Sequence, residues 1–335
     1  MEVDLVVLWV DGNDPQWLEE RNRCSQEQQR GSGAYLFRDW GLMKYWFRAI
    51  EAYIPWYRRL HFVTWGHLPE FLNPDHPKLH IVRHQDFMPP ESLPCFNSMA
   101  LEMNIFRIPD LAEHFIYFND DTFITRPMEE GRFFDGKSGL PALQFIEQPR
   151  RLMGKLDAHA IVCLRGLGVI NQWFPKRNTR LSSYPGKFLS FQYSFRENLR
   201  NILLKLMFPT YYAGFKEFHL PVPYLKSTFE EIWEKEPQLL EETTLQHFRS
   251  GNEVNQYLAK YWQIVSGRFV PRRLSGFSSD IRDEKMEMLT RRIRGQEQEM
   301  LCLNDSTHDV TFDACARGLQ EAFEQILPGK CSFER

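Results

Sequence analysis

Four short apolar runs alternate with segments of helical periodicity over residues 1–120 of this chain. The first run, Val3 to Val10, is rich in β-branched residues and ends at the polar turn Asp11-Gly-Asn-Asp-Pro15, near which a helix is predicted to begin. Runs of this kind predict buried strands, and strands that alternate with helices predict a parallel sheet with helices on its faces. The other strand runs are Leu60 to Trp65, Leu79 to Val82 and Phe115 to Phe118, and the helical segments between them include 41–53 and 98–108.

The character of the sequence changes near residue 150. Strand-like runs become scarce from there on, while aromatic and basic residues are dense between Arg165 and Tyr212. We therefore predict an α/β core over residues 1–150 and a mostly helical insertion or cap over residues 151–298, which carries His219 and Arg249. A C-terminal strand and helix over residues 299–335 then return to the core.

Composition limits the classes of function that this chain can perform. It has 335 residues, with 41 basic and 44 acidic side chains and a formal charge of −3, so we expect no nucleic-acid partner. No segment approaches the roughly 20 apolar residues that cross a bilayer, and we expect a cytoplasmic protein. Peripheral association with the inner face of a membrane stays open. The six cysteines are scattered without close pairs, which predicts reduced, mostly buried thiols.

Polar side chains follow two of the predicted strands directly. Asn119-Asp120-Asp121 follow the fourth strand, and Asp11 and Asn13 follow the first. In open α/β sheets, ligands collect beyond the carboxyl ends of the strands. Adjacent carboxylates are costly unless a cation joins them, and Mg²⁺ prefers carboxylate and phosphate oxygens. When each motif is taken alone, a solvated turn or a helix cap explains the acidic group as well as a cation site does, and a turn and cap explain the Asp11 motif better than ligand binding does.

Two further motifs lie before predicted helices. Arg38-Asp39 is suited either to present a guanidinium to a phosphate or to form a surface ion pair. Asn97 and Ser98 suit the N-terminal cap of a helix that would carry Glu102 one turn along. Helix capping accounts for Asn97 and Ser98 without any catalytic role. It does not account for Glu102.

Three motifs lie in the second half of the chain. His219 opens an extended segment stiffened by Pro221 and Pro223, and a firmly held imidazole suits a general base, although most histidines are packed or surface residues. Arg249 has weaker support when taken alone. Asn304-Asp305 follows an apolar run, so it is either a ligand pair at a strand end or a turn.

Taken in order, these segments resemble the Stealth family, which includes bacterial capsule hexose-1-phosphate transferases and the catalytic subunit of the phosphotransferase that tags lysosomal enzymes. Four blocks carry the resemblance, and together they span nearly the whole chain. The first block is Asp4 to Trp17 (DLVVLWVDGNDPQW). The second runs from Phe37 to Asp121 and includes Phe37-Arg-Asp39, Pro55-Trp56, Leu93 to Ser98 and Phe115 to Asp121. The third runs from His219 to Arg249, and the fourth joins Leu301 to Asp305 with the terminal Ser332-Phe-Glu334.

The resemblance implies an active site and an α/β fold, in which a Rossmann-like (glycosyltransferase-A-like) mostly parallel sheet carries helices on both faces and a mostly helical cap. The implied catalytic residues are Glu102, Asp121, His219 and Arg249. For the donor pocket of the nucleotide-sugar-binding core we predict Asp11, Asn13, Arg38, Asp39, Asn97 and Ser98, and for a site that holds Mg²⁺ or Mn²⁺ we predict Asp120, Asp121, Asn304 and Asp305. The chain departs from the family pattern at Leu42 and Cys95, which bears on donor and acceptor preference.

The reaction implied by the resemblance moves a sugar together with its phosphate. The donor is a UDP-sugar, the acceptor is a hydroxyl of a glycan or sugar, the product is a phosphodiester, and UMP is released, as in capsule or exopolysaccharide synthesis. The sugar is a hexose or an N-acetylhexosamine such as N-acetylglucosamine. His219 is assigned as general base and Asp121 as metal ligand. The opposite assignment, with Asp121 as the base, stays open. The alternatives are a metal-dependent glycosyltransferase that releases UDP and a non-catalytic carbohydrate-binding assembly protein.

Overall fold

A five-stranded sheet lies at the centre of the molecule, which the computed structural model describes over residues 1–27, 38–149, 158–176, 185–305 and 310–335. The strands of the described chain are β1 (Val3–Leu8), β2 (Leu60–Thr64), β3 (Leu79–Arg83), β4 (His114–Asn119), β5 (Thr122–Ile124), β6 (Ala142–Leu143), β7 (Val222–Leu225), β8 (Val270–Pro271), β9 (Gly276–Asp280) and β10 (Met300–Asn304). The central sheet has the order β3-β2-β1-β4-β7; β1 to β4 are parallel, and β7 pairs with β4 in the antiparallel sense.

Helices cover both faces of this sheet. They are α1 (Pro15–Glu27), α2 (Met43–Tyr53), α3 (Ser98–Asn104), α4 (Ala158–Trp173), α5 (Pro185–Phe188), α6 (Phe195–Met207), α7 (Lys226–Lys235), α8 (Pro237–Thr244), α9 (Tyr257–Val265), α10 (Met286–Arg294) and α11 (Phe312–Ile326). Successive side chains of a strand point to opposite sides of the sheet. On β1, Leu5 and Val7 accordingly pack with α2 and α11, whereas Val6 and Leu8 pack with α3, α7 and α9. The predicted α/β class is thereby confirmed.

A second sheet, of order β5-β10-β9, extends the edge where β4 ends. β10 runs antiparallel to β5 and parallel to β9. Only Asp120 and Asp121 separate β4 from β5, and the Leu303 N–H donates to the Asp121 carbonyl at 2.9 Å. The end of β10 is therefore held beside the acidic turn, although the two segments lie far apart in sequence.

The described residues between 158 and 298 form seven α-helices and also supply strands to the sheets. β7 completes the central sheet and β9 belongs to the second sheet. The first predicted boundary, at residues 150 and 151, lies outside the described residues, and the three-part division stays a prediction. No helix in the described ranges has the length and apolar character needed to span a bilayer.

Candidate active site

A cavity of about 340 Å³ opens at the carboxyl-terminal edge of the central sheet. Its wall contains residues that directly follow β1, β3, β4 and β10, together with loops from the second half of the chain. The sheet edge thus gathers motifs that are remote in sequence, as the strand order requires. The predicted site residues that line it are Arg38, Asp39, Asn97, Ser98, Asp120, Asp121, His219, Arg249, Asn304 and Asp305.

Two adjacent carboxylates project from the turn between β4 and β5. The Thr122 hydroxyl donates to the Asn119 carbonyl at 2.7 Å and so tightens this turn. The Asp120 side chain is exposed to solvent where it lines the cavity. Desolvation by the surrounding protein atoms, and then the charges of Asp121 and Asp39, raise the pKa of Asp120 to about 7. A cation would relieve this concentration of negative charge.

Asp121 has an atom suited to bind that cation. Its buried Oδ1 has no hydrogen-bond partner among the described residues and lies 3.7 Å from Nε2 of His219. Together with Cys302, these side chains place potential ligand atoms within 4.8 Å of one another. Burial, and then the Asp121 charge, raise the pKa of the Cys302 thiol well above its ordinary value, so the thiol stays protonated near neutrality. The carboxylate oxygens therefore fit a divalent cation better than the sulfur does.

His219 is held by a chain of hydrogen bonds from the second sheet. Nδ2 of Asn304 donates to the Ser278 hydroxyl at 3.0 Å, which leaves Oδ1 of Asn304 as an acceptor for Nδ1 of His219 at 2.9 Å. This arrangement places the ring proton on Nδ1, so Nε2 carries the lone pair and faces Asp121. The side chain is 34% exposed and open to a ligand in the cavity.

Glu102 lies behind the cavity wall and is not among the residues that line it. Its buried carboxylate accepts from the Tyr117 hydroxyl at 3.2 Å and from the Gln256 N–H at 3.1 Å. Burial raises the pKa of Glu102, while these hydrogen bonds and the charges of Arg249 and His219 oppose the rise. Glu102 reaches the cavity through Tyr117, which does line it.

Asn97 joins the start of α3 to the loop that carries Arg249. Its Oδ1 caps the helix by accepting from the Met99 N–H at 3.2 Å, and its Nδ2 donates to the Gln246 carbonyl and to Glu253, each at 3.1 Å. The structural interpretation of this motif as a cap is thus confirmed. Its role in donor binding stays a prediction.

Arg249 lies at the mouth of the cavity beside the start of α3. Its Nη2 donates to the Ser98 hydroxyl at 2.9 Å. The neighbouring Phe248 ring stacks on Phe96, with ring centroids 5.3 Å apart, and the Phe96 N–H donates to the His247 carbonyl at 2.9 Å. The guanidinium is therefore aimed at the cavity by contacts on both sides of its loop.

Arg38 forms an ion pair within the cavity wall. Its guanidinium donates to both carboxylate oxygens of Asp305, at 2.8 and 2.5 Å, and lies over the rings of Trp40 and Phe312. Both carboxylate oxygens of Asp305 therefore accept hydrogen bonds from Arg38. These contacts do not favour the predicted role of Asp305 as a metal ligand. Phe37, which begins this motif, lies outside the described residues.

Asp11 and Asn13 are not among the residues that line the cavity. They form a turn in which the Asn13 N–H donates to Oδ1 of Asp11 at 2.9 Å, and the Asp11 N–H donates to His67 at 2.7 Å. Asp14 then caps α1 by accepting from the Trp17 N–H at 2.8 Å. These contacts explain the motif structurally, and its role in donor binding stays a prediction.

The cavity also contains residues that sequence reasoning missed. Tyr117 is a polar side chain inside an apolar strand run, which is the one sequence signal that pointed to it. His84 directly follows β3, and burial lowers its pKa to about 3, so its ring is neutral. Leu42 and Cys95, the two departures from the family pattern, both line the cavity. All six cysteines are buried and none is in a disulfide, in agreement with the prediction.

Comparison with family models supports the resemblance inferred from the motifs. Residues 1–28 match Stealth protein CR1, conserved region 1, and residues 36–141 match Stealth protein CR2, conserved region 2. These two matches contain the acidic turn and the start of α3.

Several curated relatives match over nearly the whole chain. The capsular polysaccharide phosphotransferase WcwK of Streptococcus pneumoniae is 37% identical, with 99% of each chain covered. The exopolysaccharide phosphotransferase cps2G of Lactiplantibacillus plantarum is 35% identical, with 100% of this chain and 96% of the relative covered. The receptor polysaccharide phosphotransferase WefC of Streptococcus gordonii is 34% identical, with 99% of each covered.

A weak similarity to a solved structure extends over most of the chain. The galactosyltransferase LgtC, in complex with donor and acceptor sugar analogs, is 11% identical, with a TM-score of 0.37 and 95% of each chain covered.

Proposed function

This chain belongs to the Stealth family, whose curated relatives are polysaccharide phosphotransferases, and on that premise we propose that it is a sugar-1-phosphate transferase. It transfers hexose-1-phosphate, or N-acetylhexosamine-1-phosphate, from a UDP-sugar to a sugar hydroxyl. The product is a phosphodiester and UMP is released. The setting we propose is capsule or exopolysaccharide synthesis in the cytoplasm, at the inner face of the membrane.

One observation supports this proposal most directly. A pair of carboxylates, an oriented imidazole and a guanidinium line a single cavity, although they come from strand ends and loops that are remote in sequence. Transfer of a phosphoryl group requires mainly positioning of the reactants, neutralisation of charge and removal of a proton. Asp120 and Asp121, Arg249 and His219 are the residues to which we assign these tasks.

His219 removes the acceptor proton in this proposal. Its Nε2 carries the lone pair, because Nδ1 donates to Asn304, which is held in turn by Ser278. The acceptor hydroxyl gives its proton to Nε2 as its oxygen attacks the sugar-bearing phosphorus. The bond from the sugar-bearing phosphorus to the bridging oxygen breaks, and UMP leaves with that oxygen.

Charge on the phosphates is balanced by residues from both halves of the chain. Asp120 and Asp121 would hold Mg²⁺ or Mn²⁺, which when bound draws negative charge from the phosphate oxygens. Arg249, aimed by Ser98, donates to the oxygens of the transferred group. Arg38, whose guanidinium is paired with both oxygens of Asp305, lines the same cavity.

Identification of the released nucleotide tests the proposal. The protein is incubated with Mg²⁺, a panel of UDP-sugars and sugar acceptors, with Asp121→Asn as the control, and products are separated by chromatography and ³¹P NMR. We expect UMP and a phosphodiester signal. Release of UDP would identify a glycosyltransferase instead, and donor binding without turnover would identify a carbohydrate-binding assembly protein.

A further inference from the structure

The helix α6 presents its apolar side to solvent. Phe195, Leu206 and Met207 are 81%, 73% and 66% exposed, which is unusual for large apolar side chains on an ordered helix. Leu199, Ile202 and Leu203 are also exposed. With 3.6 residues per turn, the five positions 195, 199, 202, 203 and 206 fall within an arc of about 100°, so they form one stripe.

The opposite side of α6 is fixed to the protein by polar contacts. Asn201 is fully buried; its Oδ1 accepts from the Glu147 N–H at 2.9 Å, and its Nδ2 donates to the Phe188 carbonyl at 3.2 Å. Ser194 and Glu197 form a capping box at the start of the helix. The helix is thus held in an orientation that keeps the apolar stripe outward, and a simple rotation cannot bury it.

Basic side chains flank the stripe on both sides. Arg196 and Arg200 lie along one edge of the stripe, and Lys205 lies along the other. Residues 185–217 contain five basic side chains and two acidic ones: Glu197, which is used in the helix cap, and Glu217, which accepts from the Tyr261 hydroxyl at 3.0 Å. This surface is therefore locally positive on a chain whose formal charge is −3.

The apolar surface extends beyond the helix itself. Phe191, four residues before the first residue of α6, is fully exposed, and Tyr211, four residues after its last, is half exposed. A groove of about 1050 Å³ runs alongside, between α6 and α4, and its wall includes Leu164, Leu199 and Leu203. Leu199, Leu203 and Met207 of the exposed surface thus share one groove wall and are not isolated surface residues.

From these observations we propose that the α6 surface docks the protein on a bilayer that contains anionic phospholipid. The helix has 13 residues and is about 20 Å long, too short to cross a hydrocarbon core of about 30 Å. An apolar stripe with basic flanks suits a helix that lies in the interface, with its apolar side chains among the acyl chains and its cations at the headgroups. This inference does not depend on the proposed transferase activity.

Vesicle flotation with the full chain tests this docking surface. Phosphatidylcholine vesicles are compared with vesicles that also contain phosphatidylglycerol, at low and at high salt. We expect binding that is at least about tenfold tighter with phosphatidylglycerol and that weakens as salt is added. Failure to bind the anionic vesicles, or equal binding to both kinds, would overturn the proposal.

Paired variants locate the surface. Phe195→Ser with Leu206→Ser, and separately Arg196→Glu with Arg200→Glu, should each weaken binding to anionic vesicles by at least about tenfold. The matched control is Arg291→Glu with Arg294→Glu on α10, a basic helix outside the patch, which should bind within about twofold of the parent. Equal loss in the control contradicts the assignment.

Circular dichroism melts identify variants that fail to fold, and the serine and glutamate pairs serve as independent tests.

Analytical ultracentrifugation examines the competing occupant, a second copy of the chain. If the parent is a dimer that does not bind vesicles, and Leu206→Ser dissociates that dimer, the patch is a subunit interface and the proposal is overturned.

Discussion

His219 depends on Asn304 for the orientation that makes it a base. The hydrogen bond between them places the ring proton on Nδ1, and no other contact among the described residues does so. We expect His219→Ala to lower kcat by about 10²- to 10⁴-fold with little change in Tm, because the side chain is partly exposed and its loss leaves no large cavity. Rates of nucleotide release measure this. The control, His76→Ala, removes a histidine that contacts Ser332 outside the cavity and should retain activity.

The two candidate ligands Asp121 and Asp305 differ in how their oxygens are used. Oδ1 of Asp121 has no hydrogen-bond partner among the described residues, whereas both oxygens of Asp305 accept from Arg38. We therefore expect Mg²⁺ or Mn²⁺ to raise the Tm of the parent and of Asp305→Asn, but not that of Asp121→Asn. Thermal melts over a metal titration provide the measurement. The opposite pattern would show that Asp305 is the ligand.

At the scale of elements, the close approach of β9 to the segment before β7 positions the active-site histidine. A Cβ on Gly276 would lie 2.3 Å from Cδ1 and 2.8 Å from Cδ2 of Leu220, a buried side chain next to His219. Gly276→Ala should displace Leu220 and lower kcat at least about tenfold while the chain stays folded. Steady-state kinetics and a thermal melt test this. Gly131→Ala, where a Cβ meets nothing within 4 Å, is the matched control, and equal effects would contradict the prediction.

The C-terminal residues close the molecule over α2. Phe333 packs in the core against Phe47, and Glu334 receives two hydrogen bonds from the buried Arg48, at 2.7 and 3.0 Å. Glu334→Gln should lower the free energy of unfolding by about 3 kcal/mol, the lower end for a broken buried pair, because Glu324 still contacts Arg48. Urea unfolding measures this. Glu130→Gln, at an exposed pair, should change it by less than about 1 kcal/mol.

Acid stability of the whole molecule should depend on Asp4, which ties β1 to β2. Burial would raise its pKa, but hydrogen bonds from His61, Arg58 and the Ala112 N–H outweigh burial and lower the pKa to about 2. This pKa lies below the pKa of Asp4 in the unfolded chain. The ionised carboxylate therefore adds on the order of 2 kcal/mol to the free energy of unfolding above about pH 4, and this contribution is lost as the pH falls towards about 2.

Asp4→Asn should remove that part of the pH dependence. Urea unfolding at about pH 5 and about pH 3 compares the two proteins over the range in which the carboxylate of the unfolded chain titrates. The parent should lose more stability than the variant between these values. Equal losses would show that another group governs acid unfolding.

Sequence alone determined the parallel strands, the acids at their ends and the cap at Asn97, because periodicity and capping are properties of neighbouring residues. It also indicated His219, through the proline-stiffened segment that follows it and the order of the motifs, and Arg249 mainly through that order. Only the tertiary structure decided that β7 completes the sheet and that Tyr117 connects Glu102 to the cavity. It also decided that Asp305 pairs with Arg38, whereas Asn304 orients His219. Contacts of this kind join residues brought together by long-range packing, whose geometry no local pattern encodes.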